Sequence, residues 1–245
     1  MASQKSSLPI VPKTSQAMAV SAAPPSSSST KVAAVAVAKE PKRQRGIARV
    51  AKLLDAGASV FAEQGYKAAT MTEIAARAGA PIGSLYQFFP NKDLLADALV
   101  ARYGEHVKAA LERIREQAAG LDGAELADRL LDVLVAHASE RSLALSLLDA
   151  RWEQPGVRPG VLRESLRGHI DQCLAAWRPQ IGEDERQAMA VVLLQAMKSL
   201  AQLHEEKRYP GKSEALAQWR GWVRRYLQDF SAEGSKRLSR GLAVE

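Results

Sequence analysis

The sequence predicts an all-α protein, and three observations carry that prediction. Apolar residues recur at spacings of three and four in successive segments between Ile47 and Phe230. Gly- or Pro-bearing breaks separate those segments, and no segment shows the strict apolar/polar alternation of a half-buried strand. At 245 residues and 47% apolar content, the chain can bury a sizeable core in one large or two modest domains.

Residues 1–42 are a Ser/Ala/Pro-rich tail that cannot bury enough apolar surface to offset the entropy of ordering it, so it is expected to be disordered. Six of the seven net positive charges fall in residues 1–46, where Lys5, Lys13, Lys31, Lys39, Lys42, Arg43 and Arg45 face a single acid, Glu40. The body after Gly46 is therefore nearly neutral, and a basic arm stands directly ahead of it, which points toward a polyanionic partner. Two roles fit Lys42, Arg43 and Arg45: phosphate or minor-groove contacts, and an inert linker. The acid-poor tail loosely resembles an organelle transit peptide but lacks a sustained amphipathic Arg pattern.

The first helix is predicted from Ile47, Val50, Leu54, Ala58 and Phe61, which share one face, and Gly65 is placed to end it in a left-handed conformation. Thr70 to Glu73 ("TMTE") has the form of a capping box opening a short second helix that continues to Ala78. Gly79 breaks that helix, and Pro81 suits the first turn of a third, carrying Leu85, Tyr86 and Phe89. Asn91 is positioned to cap a fourth, longer helix. Further helices are expected over about 92–118, 124–138, 141–152, 159–177, 184–206 and 213–231.

Two short helices joined at Gly79 make a helix-turn-helix, in which the second helix enters the major groove of DNA and the first braces it. Leu85 and Phe89, four apart, are expected to face inward against the Phe61 face of helix one. Tyr86 then points elsewhere, with a hydroxyl that can donate to a phosphate, and Lys92 at the start of the fourth helix supplies an ammonium for the same strand.

From Arg45 to Leu99 the chain resembles the DNA-binding domain of TetR/AcrR-type transcriptional regulators. The resemblance rests on linked features in order: "FAEQGY" ending helix one, "TEIA" in a Thr-capped second helix, "AG" at the turn, then "GSLYQFF" and "NKDLL". The chain departs from the family at Ala80-Pro81-Ile82, where members often carry a Val-Ser-Lys-type segment. The resemblance implies phosphate contacts from Thr70, Thr72, Tyr86 and Lys92, with Ile82, Gly83, Ser84 and Gln87 on the groove-facing stretch. Gln87 can pair bidentately with an adenine, Ser84 can bond to several bases, and Ile82 can touch a thymine methyl. Gly83 reads more naturally as a site of close backbone approach.

The resemblance further implies a homodimer whose all-helical C-terminal domain binds a small effector and controls affinity for a near-palindromic, double-stranded operator. Its effector pocket is expected to involve Trp152, Ile170, Cys173 and Trp177, although Ile170, Cys173 and Trp177 also lie on a stripe that suits the domain core. Met189, Val192, Ala196 and Leu200 on one helix, and Trp219, Val223 and Leu227 on the next, belong to helices apolar over more than one face; these seven are expected at the dimer interface. Arg151, Arg163 and Arg167 fit either an anionic ligand or solvated helix faces, the latter being favoured.

The domains so expected are the tail to residue 42, a DNA-binding domain over 43–92, an effector-binding and dimerisation domain over 93–231, and a flexible tail over 232–245. Catalytic residues, metal ligands and cofactors are not expected. His106, His137, His169 and His204 are scattered without an H-E-x-x-H pattern, and no Gly-rich phosphate loop or nucleophile elbow occurs. One cysteine and the lack of an apolar run near the roughly 20 residues that cross a bilayer fit a cytoplasmic protein with no membrane partner. The function that emerges is a ligand-responsive dimeric repressor. An activator or ligand-independent global regulator of the same fold, and more remotely a helical-bundle enzyme, are the alternatives.

Overall fold

A computed structural model describes residues 44–153, 159–208 and 210–232. The N-terminal tail with Lys42 and Arg43, and residues 233–245 of the C-terminal tail, lie outside the described residues. Within them the chain runs as helices α1 (Gln44–Ala68), α2 (Met71–Arg77), α3 (Ile82–Phe88), α4 (Lys92–Gln117), α5 (Gly123–Ala136), α6 (Ala138–Ala150), α7 (Pro159–Trp177), α8 (Glu183–Glu205) and α9 (Lys212–Ala232). A short 3₁₀ turn, Ala118–Gly120, follows α4.

Local chemistry sets the boundaries. Gly65 takes φ 77° and ψ 165°, a positive-φ conformation open to glycine but not the αL cap expected, and it kinks α1, which resumes to Ala68, rather than ending it. Thr70 and Glu73 close a reciprocal capping box on α2: the Glu73 amide donates to Thr70 Oγ1 at 3.2 Å, and the Thr70 amide donates to Glu73 Oε2 at 3.0 Å. Gly79, at φ 59°, ends α2, with its own amide bonded to Ala76 O and the Ala80 amide to Ala75 O. That pair of bonds is a Schellman motif. Pro81 stands one position earlier than expected, as the residue before α3 rather than inside its first turn. Asn91 Oδ1 accepts the Leu94 amide at 2.8 Å and starts α4.

Two apolar cores result. Leu53, Val60, Phe61, Ile74, Leu85, Phe89, Leu95 and Leu99 belong to the first, which packs α1 to α3 on the beginning of α4, and Leu147 of α6 joins them. Tyr103, Val107, Leu111, Leu130, Leu134, Cys173, Trp177, Leu193 and Leu200 belong to the second, shared by α4, α5, α7 and α8, to which α9 adds Val223 and Leu227. Helix α4 thus serves both, with the change between Leu99 and Tyr103. The expected boundary at residue 92 falls at its first residue, whereas the cores meet about two turns later. Ile47, read as part of the buried face of α1, is exposed because that face carries core residues only from Leu53 onward.

Helices α5 and α9 approach closely. A Cβ on Gly123 would lie 2.8 Å from the backbone of Leu227 and Gln228, so only glycine fits. Arg224 forks onto Asp128, its Nε and Nη2 donating at 2.9 and 2.8 Å, and Arg220 pairs with Asp132 beside it.

Candidate nucleic-acid interface

The surface of α3 divides as its spacing dictates. Leu85 and Phe89 are buried against the first core, while Ile82 (40% exposed) and Tyr86 (48%) are followed on the same face by Gly83 and Gln87. Ile82 with Tyr86, and Gly83 with Gln87, are i, i+4 pairs, so these four residues form one continuous outward stripe. The Tyr86 hydroxyl has no partner among the described residues and is free to donate. Thr72 is exposed at the start of α2.

Three other expected contact residues are shielded or engaged within the protein. Ser84 is half-buried, its hydroxyl shielded from solvent with no protein partner. Its position explains this: it precedes Leu85 and lies one turn before the half-buried Phe88, on the shoulder of the inward face. The Thr70 hydroxyl is occupied at both ends, accepting the Glu73 amide and donating to Glu73 Oε2 at 2.7 Å. That donated bond, ahead of the backbone one, holds the Glu73 carboxyl below its ordinary pKa.

Lys92 is the third. Its ammonium donates to the carbonyls of Lys67 (3.1 Å) and Ala69 (3.0 Å) and lies 4.6 Å from the centre of the Tyr66 ring. The segment leaving α1 exposes carbonyls without helical partners, and a cation at the start of α4 satisfies them. Through these contacts Lys92 fastens the end of α1 to α4. Arg45 is exposed in the first turn of α1.

Behind this surface lies a network that sequence reasoning missed. Tyr66 donates through its hydroxyl to Asp93 Oδ1. The Arg151 guanidinium lies 5.5 Å from the centre of the same ring and donates from Nη1 to Asp97 Oδ1 (2.8 Å) and Asp93 O (3.3 Å), and from Nε to Leu147 O (3.1 Å). Arg151 is 2% exposed, which corrects the expectation of a solvated face: it is a buried strut from the end of α6 to the beginning of α4. On the outer side, Arg77 of α2 forks onto Glu63 of α1 at 2.7 Å and 2.7 Å and also reaches Ser59. The Arg77 bond leads the causes that lower the Glu63 carboxyl to about 2.

The expected effector-pocket residues are not brought together as a lining. Trp152 is exposed, whereas Ile170, Cys173 and Trp177 are fully packed. The Cys173 thiol donates to Leu111 O at 3.2 Å and the Trp177 indole to Leu121 O at 3.0 Å, so both polar atoms are used in joining α7 to α4 and to the segment that follows it. Of the seven residues expected at the dimer interface, Met189, Ala196, Leu200, Val223 and Leu227 are buried in this chain's own core. The helices cover one apolar face internally, which removes those side chains from any surface. Val192 and Trp219 keep exposed area, joined by Val191 and Trp222.

A positive cluster lies elsewhere in the C-terminal helices. Lys198 of α8 is pushed below its ordinary pKa, first by desolvation and then by the charges of Arg163, Arg141 and Arg167. Arg141 is buried, 3.9 Å from Glu205, and Arg167 Nε is buried without a protein partner. Among the described residues, no helix is long and apolar enough to cross a membrane.

Comparison with known proteins agrees with this arrangement. Residues 53–99 match the model of the bacterial regulatory proteins of the tetR family. The HTH-type transcriptional repressor KstR2 of Rhodococcus jostii is 31% identical over 147 residues, 52% of this chain and 72% of that protein. The fatty acid metabolism regulator protein of Bacillus subtilis is 28% identical over 126 residues; the match spans 49% of this chain but only 61% of that protein. A transcriptional regulator from Aquifex aeolicus VF5 shares the fold with a TM-score of 0.53 at 18% identity, over 74% of this chain and 99% of that one. A capped helix-turn-helix with an outward α3 stripe, joined to a helical body and related in sequence to such regulators, places this chain in the TetR family of DNA-binding transcriptional regulators.

Proposed function

We propose that the protein is a dimeric repressor that leaves its operator when an acidic small molecule binds the C-terminal domain. The observation that carries the DNA-binding half is the α3 stripe of Ile82, Gly83, Tyr86 and Gln87 standing free of the core that Leu85 and Phe89 anchor. Gln87 presents the paired donor and acceptor that fit an adenine edge, Ile82 an apolar contact, and Tyr86 a phosphate-directed hydroxyl. A pair of such helices about 34–36 Å apart reads successive major grooves of a near-palindrome.

The outer faces of α8 and α9 supply the dimer surface in this reading. Trp219, Trp222, Tyr226 and Phe230 follow one another along α9 with successive ring centres 5.6, 6.0 and 5.4 Å apart, the middle pair stacked and the last edge-to-face. Beside them is a groove of about 760 Å³ lined by Leu203, Trp219, Trp222 and Arg225 among others. The effector's charge follows from Lys198, Arg163, Arg167 and Arg141: an anion relieves their mutual repulsion and gives the buried Arg167 Nε an acceptor. Moving the dimer from 99:1 in favour of the bound form to 1:99 takes about 5.5 kcal/mol of differential effector affinity.

Selection of bound duplexes from random DNA, followed by titration of the enriched site, tests the reading. Gln87→Ala is expected to lose about 1–3 kcal/mol at a single base pair. Tyr86→Phe is expected to weaken all sequences alike, by about tenfold for one bond to a charged phosphate. Absence of any enriched sequence, or a monomer by light scattering at micromolar concentration, refutes it. Release by neutral compounds but not by carboxylates or phosphates removes the acidic-effector half alone.

A further inference from the structure

Three side chains far apart in sequence converge at the corner where α4 passes the α5–α6 junction. His106 stands on the exposed side of α4, His137 is the single residue between α5 and α6, and Glu140 lies in the first turn of α6. His106 Nδ1 is 2.8 Å from Glu140 Oε2, and the two imidazole ring centres are 5.8 Å apart. One donor atom from each of the three lies within 4.8 Å of the others. None is held in the apolar core, and His137 and Glu140, three apart, project from the same turn.

We propose that His106, His137 and Glu140 form a binding site for a divalent transition-metal ion, zinc foremost, with water completing its coordination. Two imidazole nitrogens and one carboxylate oxygen are the donor set of an open zinc site. Bonds of about 2.0–2.2 Å hold tetrahedral donors about 3.3–3.5 Å apart. The 2.8 Å pair therefore opens slightly and the third donor closes by about 1 Å, changes within reach of partly exposed rotamers. The ion replaces the hydrogen bond that His106 and Glu140 share. Arg141, next to Glu140, lies 3.9 Å from Glu205, which adds a second carboxylate near the corner.

The site's place gives it a consequence. Helix α6 runs antiparallel to α4, pinned near its end by Arg151 on Asp97 and near its beginning by Glu140 on His106. An ion at the second pin replaces a solvent-exposed hydrogen bond with coordinate bonds, so it fixes α4 against α6 about 21 Å along the helix from Lys92.

The test uses tag-free full-length protein, whose four histidines are His106, His137, His169 and His204. Co²⁺ is followed by its visible d–d absorption, and Zn²⁺ by competition with a chromophoric chelator. One ion per protomer is expected, with a Kd on the order of micromolar or tighter. His106→Ala, His137→Ala and Glu140→Gln are each expected to weaken uptake at least about tenfold, in variants shown to be folded by circular dichroism. His169→Ala and His204→Ala are expected to leave it unchanged. Zn²⁺ is also expected to raise the Tm of the wild type and of these two controls, but not of the site variants. Absence of saturable uptake, uptake undiminished in Glu140→Gln, or equal losses in the His169 and His204 variants overturns the proposal. Because the readout is metal uptake, it is decided independently of operator binding.

Discussion

Replacing Arg151 by Met keeps an unbranched side chain in the space of the Arg stem and removes only the guanidinium. What is lost is the donation from Nε to Leu147 O and from Nη1 to Asp93 O and Asp97 Oδ1. Bonds from a charged group contribute about 1.5–3 kcal/mol each, net. Two features lower the total. The Asp97 side chain is 57% exposed and recovers water when its partner goes, and Arg151 Nη2 is already buried without a protein partner. The net loss is therefore about 1–3 kcal/mol, below the 3–5 kcal/mol of a fully buried pair. For a fold of this size 1 kcal/mol corresponds to about 2–4 °C, so Arg151→Met is expected to lower Tm by about 2–12 °C. Melts followed at the helical far-ultraviolet band, at fixed protein concentration, measure this. A double-mutant cycle with Asp97→Asn should give a coupling of about 0.5–1.5 kcal/mol. A variant that melts within about 1 °C of the wild type, with no coupling in the cycle, refutes the strut.

Three further outcomes follow from named contacts. Lys92→Ala should cost about 1–2 kcal/mol of stability through the freed carbonyls of Lys67 and Ala69 and the lost ring contact, while leaving the salt dependence of operator binding unchanged; a slope flattened by about one unit would return this residue to the phosphates. Cys173, fully buried and with its thiol pushed up to about 12 by desolvation, should be inert to a disulfide reagent in the native protein and react fully in denaturant, as absorbance of the released thiolate will show. The Glu63 carboxyl is lowered to about 2 from an ordinary 4.5, so its pairing with Arg77 stabilises fully above about 4.5 and is lost as pH falls toward 2. Stability differences between wild type and Glu63→Gln, measured by denaturant titration, should therefore shrink across that window and be flat above it.

Much of the fold was legible because its signals are local. Thr70 with Glu73, and Asn91, act on neighbours within four residues, and each does in the structure what its type dictates. The inward turn of Leu85 and Phe89, and the freedom of Tyr86, follow from helical spacing in the same way. What escaped depends on distant partners. The direction of Lys92 is set by carbonyls 23 and 25 residues earlier, and that of Arg151 by Asp93 and Asp97 more than 50 residues earlier. Spacing shows that α8 and α9 are apolar on more than one side but not which side the chain covers for itself, so it points to the buried Met189 and Leu200 as readily as to the exposed Val191. His106, His137 and Glu140 meet only because two helices cross, and no pattern along the chain announces it.

Helix α4 is unbroken for 26 residues, about 39 Å, and lends buried side chains to both interiors. This governs how the two halves can be exchanged between relatives. A cut in front of Lys92 strips the reading head of Leu95 and Leu99; a cut after Leu99 still leaves behind Leu147, which arrives from α6. A hybrid regulator that joins a foreign head to this body will therefore fold as intended only when the graft carries the whole shared rod or re-matches those three leucine seats, so seams belong in side-chain packing rather than at helix ends.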